Sequence, residues 1–264
     1  MENYIKSDSK STEYKCPHCQ NGYLLLDKKY FFEKQYKSSI KKSIFKINDD
    51  GDYDYDDIFY LGSIAGQLKC TYPDCTEITS FIGETKYYLN YYSNERDEEI
   101  EVLEKGIYFK YFIPSIHIIE LKKEYPKELQ KILLESFSLY FSSYSACVNT
   151  LRILLEKLCE LHGIKSKDDN GKYKALDKKL DELNYDEKLD ELNYKEIKNL
   201  LKAIKWIGND GSHSLEVIEK DDLDLTYRFT RKILDKIYPS PTDDEELNIL
   251  AKEINDNKGL KKKS

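Results

Sequence analysis

The stretch YPKELQKILLESFSLYFSSYSACVNTLRILLEKLCELHGI (residues 125–164) decides how the chain is read. Leu129, Ile132 or Leu133, Phe137, Tyr140 or Phe141, Tyr144, Val148, Leu151, Leu155 and Leu158 recur at steps of three and four. That is the period of a helix with one buried side. Pro126 suits a first helical turn and Gly163 suits an exit. The serines at 142–145 leave two forms open, one long helix or two helices broken there.

Upstream the texture changes. GYLLLDKKYFF, SIFKI, IFYLGSIAGQLKC, ITSFIG and IYFKYFIP are short runs rich in Ile, Tyr and Phe, which read as strands. The acidic stretches 48–57 and 93–101 between them read as solvated loops. Downstream, KLDELNY at 179–185 recurs at 188–194. A nine-residue step is two and a half helical turns, so the copies suit neither a solenoid nor a heptad seam. LDLTYRFTRKILDKIYP (223–239) reads as a further helix. The expected organisation is α+β: a polar N-terminus (1–13), a small β-rich module (14–114), an all-α module (115–240) and a polar tail (241–264).

The chain has 264 residues and a net charge of −7. A general nucleic-acid coat would be basic, because phosphate neutralisation supplies most non-specific affinity. A local basic site on an acidic body stays open. No apolar run reaches the roughly 18–20 residues that span a bilayer, and the first residues have no apolar signal core. The expectation is a cytoplasmic protein without membrane association, its six cysteines reduced or metal-bound.

Four of those cysteines are paired by spacing. CPHC holds Cys16 and Cys19, and CTYPDC holds Cys70 and Cys75. Each pair can wrap a turn so that two thiolates face one ion, and two such turns complete a closed tetrahedral Zn2+ site. A closed site has no position for an activated water, so the zinc is read as structural. Gly22 and the strand beyond CPHC have the look of a zinc-ribbon knuckle. His18 is left out because the thiols already complete the set. Cys147 and Cys159 lack partner spacing and read as core thiols.

Ser145, Asn149, Arg152, Glu156 and Cys159 share one helical face. Arg152 and Glu156 could pair with one another. The candidate companions lie in KWIGNDGSH (205–213). There Trp206 is expected to close a helix and plug the core, with Gly208 opening a turn. Asn209 and His213 stand four apart. His suits proton transfer near neutral pH, and Arg suits an anionic phosphate. Taken alone, His213 also reads as a helix-cap or packing histidine.

The order of LRILLE on one helix and AIKWIGNDGSHS after the next resembles the domain of unknown function 4145 family, with cysteine pairs ahead of it as a companion. The resemblance implies a HEPN-like bundle of four or five helices (higher eukaryotes and prokaryotes nucleotide-binding), similar to domains beside bacterial restriction and anti-phage systems. Many such proteins are metal-independent ribonucleases that work as dimers. Their motif has an Arg shortly before the His; here the nearest upstream basic residue is Lys205, which lacks the planar fork of Arg.

Two functions follow as expectations. One is a defence- or restriction-associated endoribonuclease: His213 as general acid or base, Arg152 and Lys205 stabilising the phosphorane, Asn209 orienting the phosphate, Glu156 holding Arg152. The other is a non-catalytic zinc-ribbon adaptor or sensor that forms a homodimer or docks on a defence-system partner protein, RNA or another nucleic acid.

Overall fold

The computed structural model describes residues 4–6, 11–37, 60–93, 99–183, 191–213, 218–242 and 252. The expected strand SIFKI and the acidic stretch 48–57 lie outside them. Six strands precede five helices among the described residues. The strands are β1 (Tyr4–Lys6), β2 (Ser11–Lys15), β3 (Tyr23–Gln35), β4 (Tyr60–Cys70), β5 (Ile78–Ser93) and β6 (Glu99–Ile113). The helices are α1 (Lys127–Leu139), α2 (Tyr144–Leu161), α3 (Leu176–Glu182), α4 (Glu191–His213) and α5 (Lys220–Ile237).

The strands form one antiparallel sheet in the order β1-β6-β5-β4-β3-β2. From β2 to β6 it is a meander, so alternate turns fall at the same end. The β2–β3 and β4–β5 turns are therefore neighbours, and Leu24 pairs with Cys70 across β3 and β4. The acidic stretch read as a loop from 93 to 101 is shorter than expected. Tyr91 pairs with Glu101, Tyr92 with Ile100 and Ser93 with Glu99. Ladder hydrogen bonds carry the strands through a polar stretch that patterning alone marks as loop.

One face of the sheet is apolar. Leu24, Leu68, Phe81, Ile107, Phe109 and Phe112 are buried there, in the alternation expected of a half-buried sheet. A cluster of rings closes over it: Tyr14 meets Phe109 and Phe141 edge-on at 5.9 and 5.4 Å, and Phe112 meets Phe141 at 4.8 Å. Phe141 belongs to the link between α1 and α2. The chain divides into two compact units, Met1–Ile118 with Leu134–Cys147, and Ile119–Leu133 with Val148–Ser264. The end of α1 and the start of α2 thus group with the sheet, although they continue the helical texture of the sequence.

Of the two forms left open for 125–164, the structure takes the broken one. The N–H groups of Ser142 and Ser143 turn back to the Leu139 carbonyl at 3.0 and 2.9 Å. Ser143 Oγ then accepts from the Ala146 N–H at 3.4 Å, capping α2. At the other end Gly163 takes φ +81°. Ile164 N–H reaches the Cys159 carbonyl and Gly163 N–H that of Glu160, both at 3.0 Å, the left-handed exit that favours glycine.

In the helical unit, Leu151, Leu154, Leu155 and Leu158 of α2 are buried with Ile197, Leu201 and Ile204 of α4 and Leu223, Tyr227 and Leu234 of α5. The buried Tyr125 hydroxyl donates to Asp235 at 2.5 Å, and Lys122 pairs with the same carboxylate at 2.8 Å. These bonds tie the segment before α1 to α5. The duplicated heptapeptide straddles two elements. The first copy's opening residues end α3 and the second copy's last residues begin α4; residues 184–190 lie outside the described set.

The ring cluster gives a direct test. Phe141→Ala removes the ring that covers Tyr14 and Phe112 and leaves a cavity, at a cost of about 3–5 kcal/mol. Urea unfolding should show it as a lower midpoint with an unchanged slope.

Candidate functional site

The four paired cysteines meet at the end of the sheet where the two knuckle turns lie together. Cys16 Sγ is 3.9 Å from Cys75 Sγ, and Cys19 Sγ is 3.5 Å from Cys70 Sγ. All four sulfurs lie within 4.8 Å of one another. None is disulfide-bonded. The first knuckle is closed by Gln20 N–H to the Cys16 carbonyl at 2.9 Å and Cys16 N–H to the Gly22 carbonyl at 2.8 Å. In the second, Tyr72 N–H points at Cys70 Sγ at 3.3 Å. Thr71 and Tyr23 exchange hydrogen bonds between the knuckles. His18 is exposed, and its Nε2 lies 3.3 Å from the Ile78 carbonyl. It stays outside the thiol cluster.

Gly22 decides whether the knuckles can close. A Cβ there would stand 2.5 Å from Cys70 Sγ and 2.6 Å from Tyr72 N. No side chain fits between a ligand sulfur and the opposite knuckle's backbone.

The thiols do not ionise alike. Desolvation opposes ionisation of Cys19, but the N–H groups of Gly22 and Asn21 outweigh it and bring the thiol down to about 6. Desolvation pushes Cys70 the other way, and with its shared hydrogen bonds to the other thiols it rises to about 12. Four sulfurs this close cannot all carry charge without a cation among them. The set could hold a metal ion, and binding one would expel protons.

The second group of candidate residues is rearranged from its expectation. Glu156 pairs with Lys179 of α3 at 2.9 Å, not with Arg152. Lys205 pairs with Asp177 of α3 at 2.5 Å. Both ammonium groups are almost wholly buried, at 3% and 7% side-chain exposure. Each carboxylate keeps one side in water. The two pairs clamp α3 onto α2 and α4. Their lysines sit in α3 and α4, and the geometry that selects them is tertiary.

Trp206 corrects the reading of KWIGNDGSH twice. It does not close a helix, since α4 continues through Gly208 and Asn209 to His213. It does not plug the core either. It is 59% exposed, and the Lys205 ammonium lies 3.8 Å from its ring. Gly208 is buried on the side of α4 that meets α2. A Cβ there would sit 3.4 Å from Arg152 Cδ and 3.8 Å from Val148 Cγ1, ordinary contact distances, so the site has room for a methyl group.

Gly208 thus rests on the stem of Arg152, and among the described residues Arg152 makes no ion pair. Asn209 is half-buried. His213 ends α4, one turn beyond Asn209, and its side chain lies outside the described residues. Cys159 is buried and desolvation pushes its thiol up to about 12. Cys147 is buried and donates to the Ser136 carbonyl at 3.1 Å. Both are core thiols. Sequence reasoning missed Lys179 and Asp177. Nothing in their spacing marks them, because their partners lie on other helices.

By fold and site the chain is an antiparallel sheet whose end is built around four thiols, joined to a helical unit. Residues 135–257 match the family described as Domain of unknown function (DUF4145). Residues 4–112 match a second one, Domain of unknown function (DUF8608). The first of these is the resemblance drawn from LRILLE and AIKWIGNDGSHS. Comparison with curated proteins and with solved structures returned no significant match. Among the described residues no helix is long and apolar enough to cross a membrane.

Three outcomes follow. Gly22→Ala should weaken metal binding by about 10–100-fold, the usual effect of disturbing a ligand's support, as read by competition with a chromogenic chelator. Affinity should fall as pH falls, since protons compete for the thiolates, and steepen below about 6, where Cys19 also takes one up. In the helical unit, Asp177→Ala strands a buried ammonium, whereas Lys205→Met leaves a carboxylate that is 51% exposed. Thermal unfolding should show Asp177→Ala as the more damaging, by about 1–3 kcal/mol.

Proposed function

We propose that the protein is a non-catalytic adaptor or sensor, its sheet held by a structural zinc ion and its HEPN-like helical unit used for docking. Zinc fits the donor set. Bonds of about 2.3 Å place tetrahedral sulfurs about 3.8 Å apart, against 3.9 Å for Cys16–Cys75 and 3.5 Å for Cys19–Cys70. Cys16, Cys19, Cys70 and Cys75 would hold the ion as a closed four-thiolate site of zinc-ribbon type, which supplies folding energy and no nucleophile.

The observation that carries the non-catalytic reading is the fate of the charged groups. Lys205 and Glu156 are held in ion pairs with Asp177 and Lys179. A lysine fixed in that way is poorly placed to meet a phosphorane, and a glutamate so paired does not steady Arg152. The polar groups then serve to fix helix packing, as buried networks can. Homodimerisation, a cytoplasmic setting and a defence- or restriction-associated partner protein belong to this proposal on the strength of the family resemblance.

One observation favours the ribonuclease reading instead. The Arg152 stem packs on Gly208, a few residues before His213 on α4, and its guanidinium pairs with no carboxylate among the described residues. In that reading Arg152 binds the scissile phosphate, Asn209 orients it and His213 transfers the proton.

Incubating the purified protein with single-stranded RNA in excess chelator separates the two. The adaptor reading expects no cleavage, and His213→Ala should alter the melting temperature at most. Cleavage that disappears in both His213→Ala and Arg152→Ala would establish the enzyme.

A further inference from the structure

The sheet face turned away from the ring cluster carries an exposed apolar row. Phe32 pairs with Ala65, Ala65 with Ile82 and Ile82 with Tyr111, so the four stand in line across β3, β4, β5 and β6. Phe32, Ile82 and Tyr111 are 72%, 51% and 48% exposed. Three large apolar side chains in register on one open face are more than the scattered exposure usual on protein surfaces. They line a groove of about 750 Å³, together with Tyr36, Lys34 and Lys110. Ala65 and Ser63 keep its floor low between the rings.

The charges around the groove run against those of the chain. The protein carries −7 overall, yet among the described residues Lys34 and Lys110 line the groove against Glu84, with Lys86 next to Glu84. Glu84 lies 3.9 Å from both Lys86 and Lys110 and is shared between them. Glu33, also in the lining, is taken by Lys105 and Thr85. Among the described residues around the groove, lysines outnumber carboxylates. Lys34 follows Phe32 by two residues on the same strand face, and Lys110 adjoins Tyr111 at the bulge in β6.

We infer that this face binds single-stranded nucleic acid. Rings on an open sheet stack unpaired bases without reading their sequence, and lysines beside them meet the phosphates. The row spans three strand spacings, about 14 Å, room for about two or three bases. A peptide adding a strand needs an open sheet edge, and this groove lies over the middle strands, whose backbone groups are paired. The inference is independent of whether the helical unit cuts RNA, because the face uses none of its residues.

The test is fluorescence anisotropy with the full chain, zinc-loaded, and labelled oligo-uridine of about 12 nucleotides at two salt concentrations. Wild-type protein should bind. Phe32→Ala and Tyr111→Ala should each weaken binding about 5- to 100-fold, the range for losing one stacked base. Both rings are exposed, so the melting temperature should not change. Lys34→Gln with Lys110→Gln should flatten the salt dependence. Absence of binding would overturn the inference. So would binding that survives the ring substitutions and is lost in Arg152→Ala, which would place the nucleic acid on the helical unit.

Discussion

The sheet unit depends on bringing two knuckles together that are far apart in the chain. Cys16 and Cys75 are separated by 59 positions, Cys19 and Cys70 by 51. Closing a loop of that size costs conformational entropy before any contact repays it. The meander lowers the difficulty, because it returns the chain to the same end of the sheet at each alternate turn. The knuckles then need only face each other, and Gly22 leaves the space for them to do so. A cation among the four sulfurs would lock that arrangement, which hydrogen bonds between Tyr23 and Thr71 alone hold more weakly. The face with the Phe32–Tyr111 row inherits its geometry from this clamp, since β3, β4 and β5 all run out of the knuckle turns.

The helical unit is organised by a different economy of charge. Lys179 and Lys205 are buried to the ammonium, a costly placement unless each nitrogen has a partner. Asp177 and Glu156 supply those partners from half-exposed positions, so each pair is desolvated on one side only. The short helix α3 is held at two points by them. Gly208 of α4 lies against the Arg152 stem, and the Arg152 guanidinium is uncommitted among the described residues.

Much of this was legible in the residues, and the reasons differ from place to place. The thiol cluster could be read because ligand spacing is a local property: CPHC and CTYPDC each make half a site without help from the fold. The strands β3 and β4, the exit at Gly163 and the helix α5 follow from period and turn chemistry. The long β5–β6 hairpin did not, because ladder pairing extends strands through the acidic residues at 99 and 101. The shared face of Arg152 and Glu156 was real as helix geometry. It gave the wrong partner because Lys179 approaches from another helix. Trp206 misled for a related reason. A lone Trp beside glycines suggests a core plug, but the ring faces solvent beside the Lys205 ammonium.

The central claim is that a four-sulfur metal centre holds the two knuckles together. X-ray absorption at the zinc edge on the purified chain measures it most directly. The account predicts one zinc per chain with four sulfur neighbours at about 2.3 Å and no nitrogen or oxygen ligand. A first shell containing oxygen or nitrogen, or a folded protein that takes up no zinc, would contradict it.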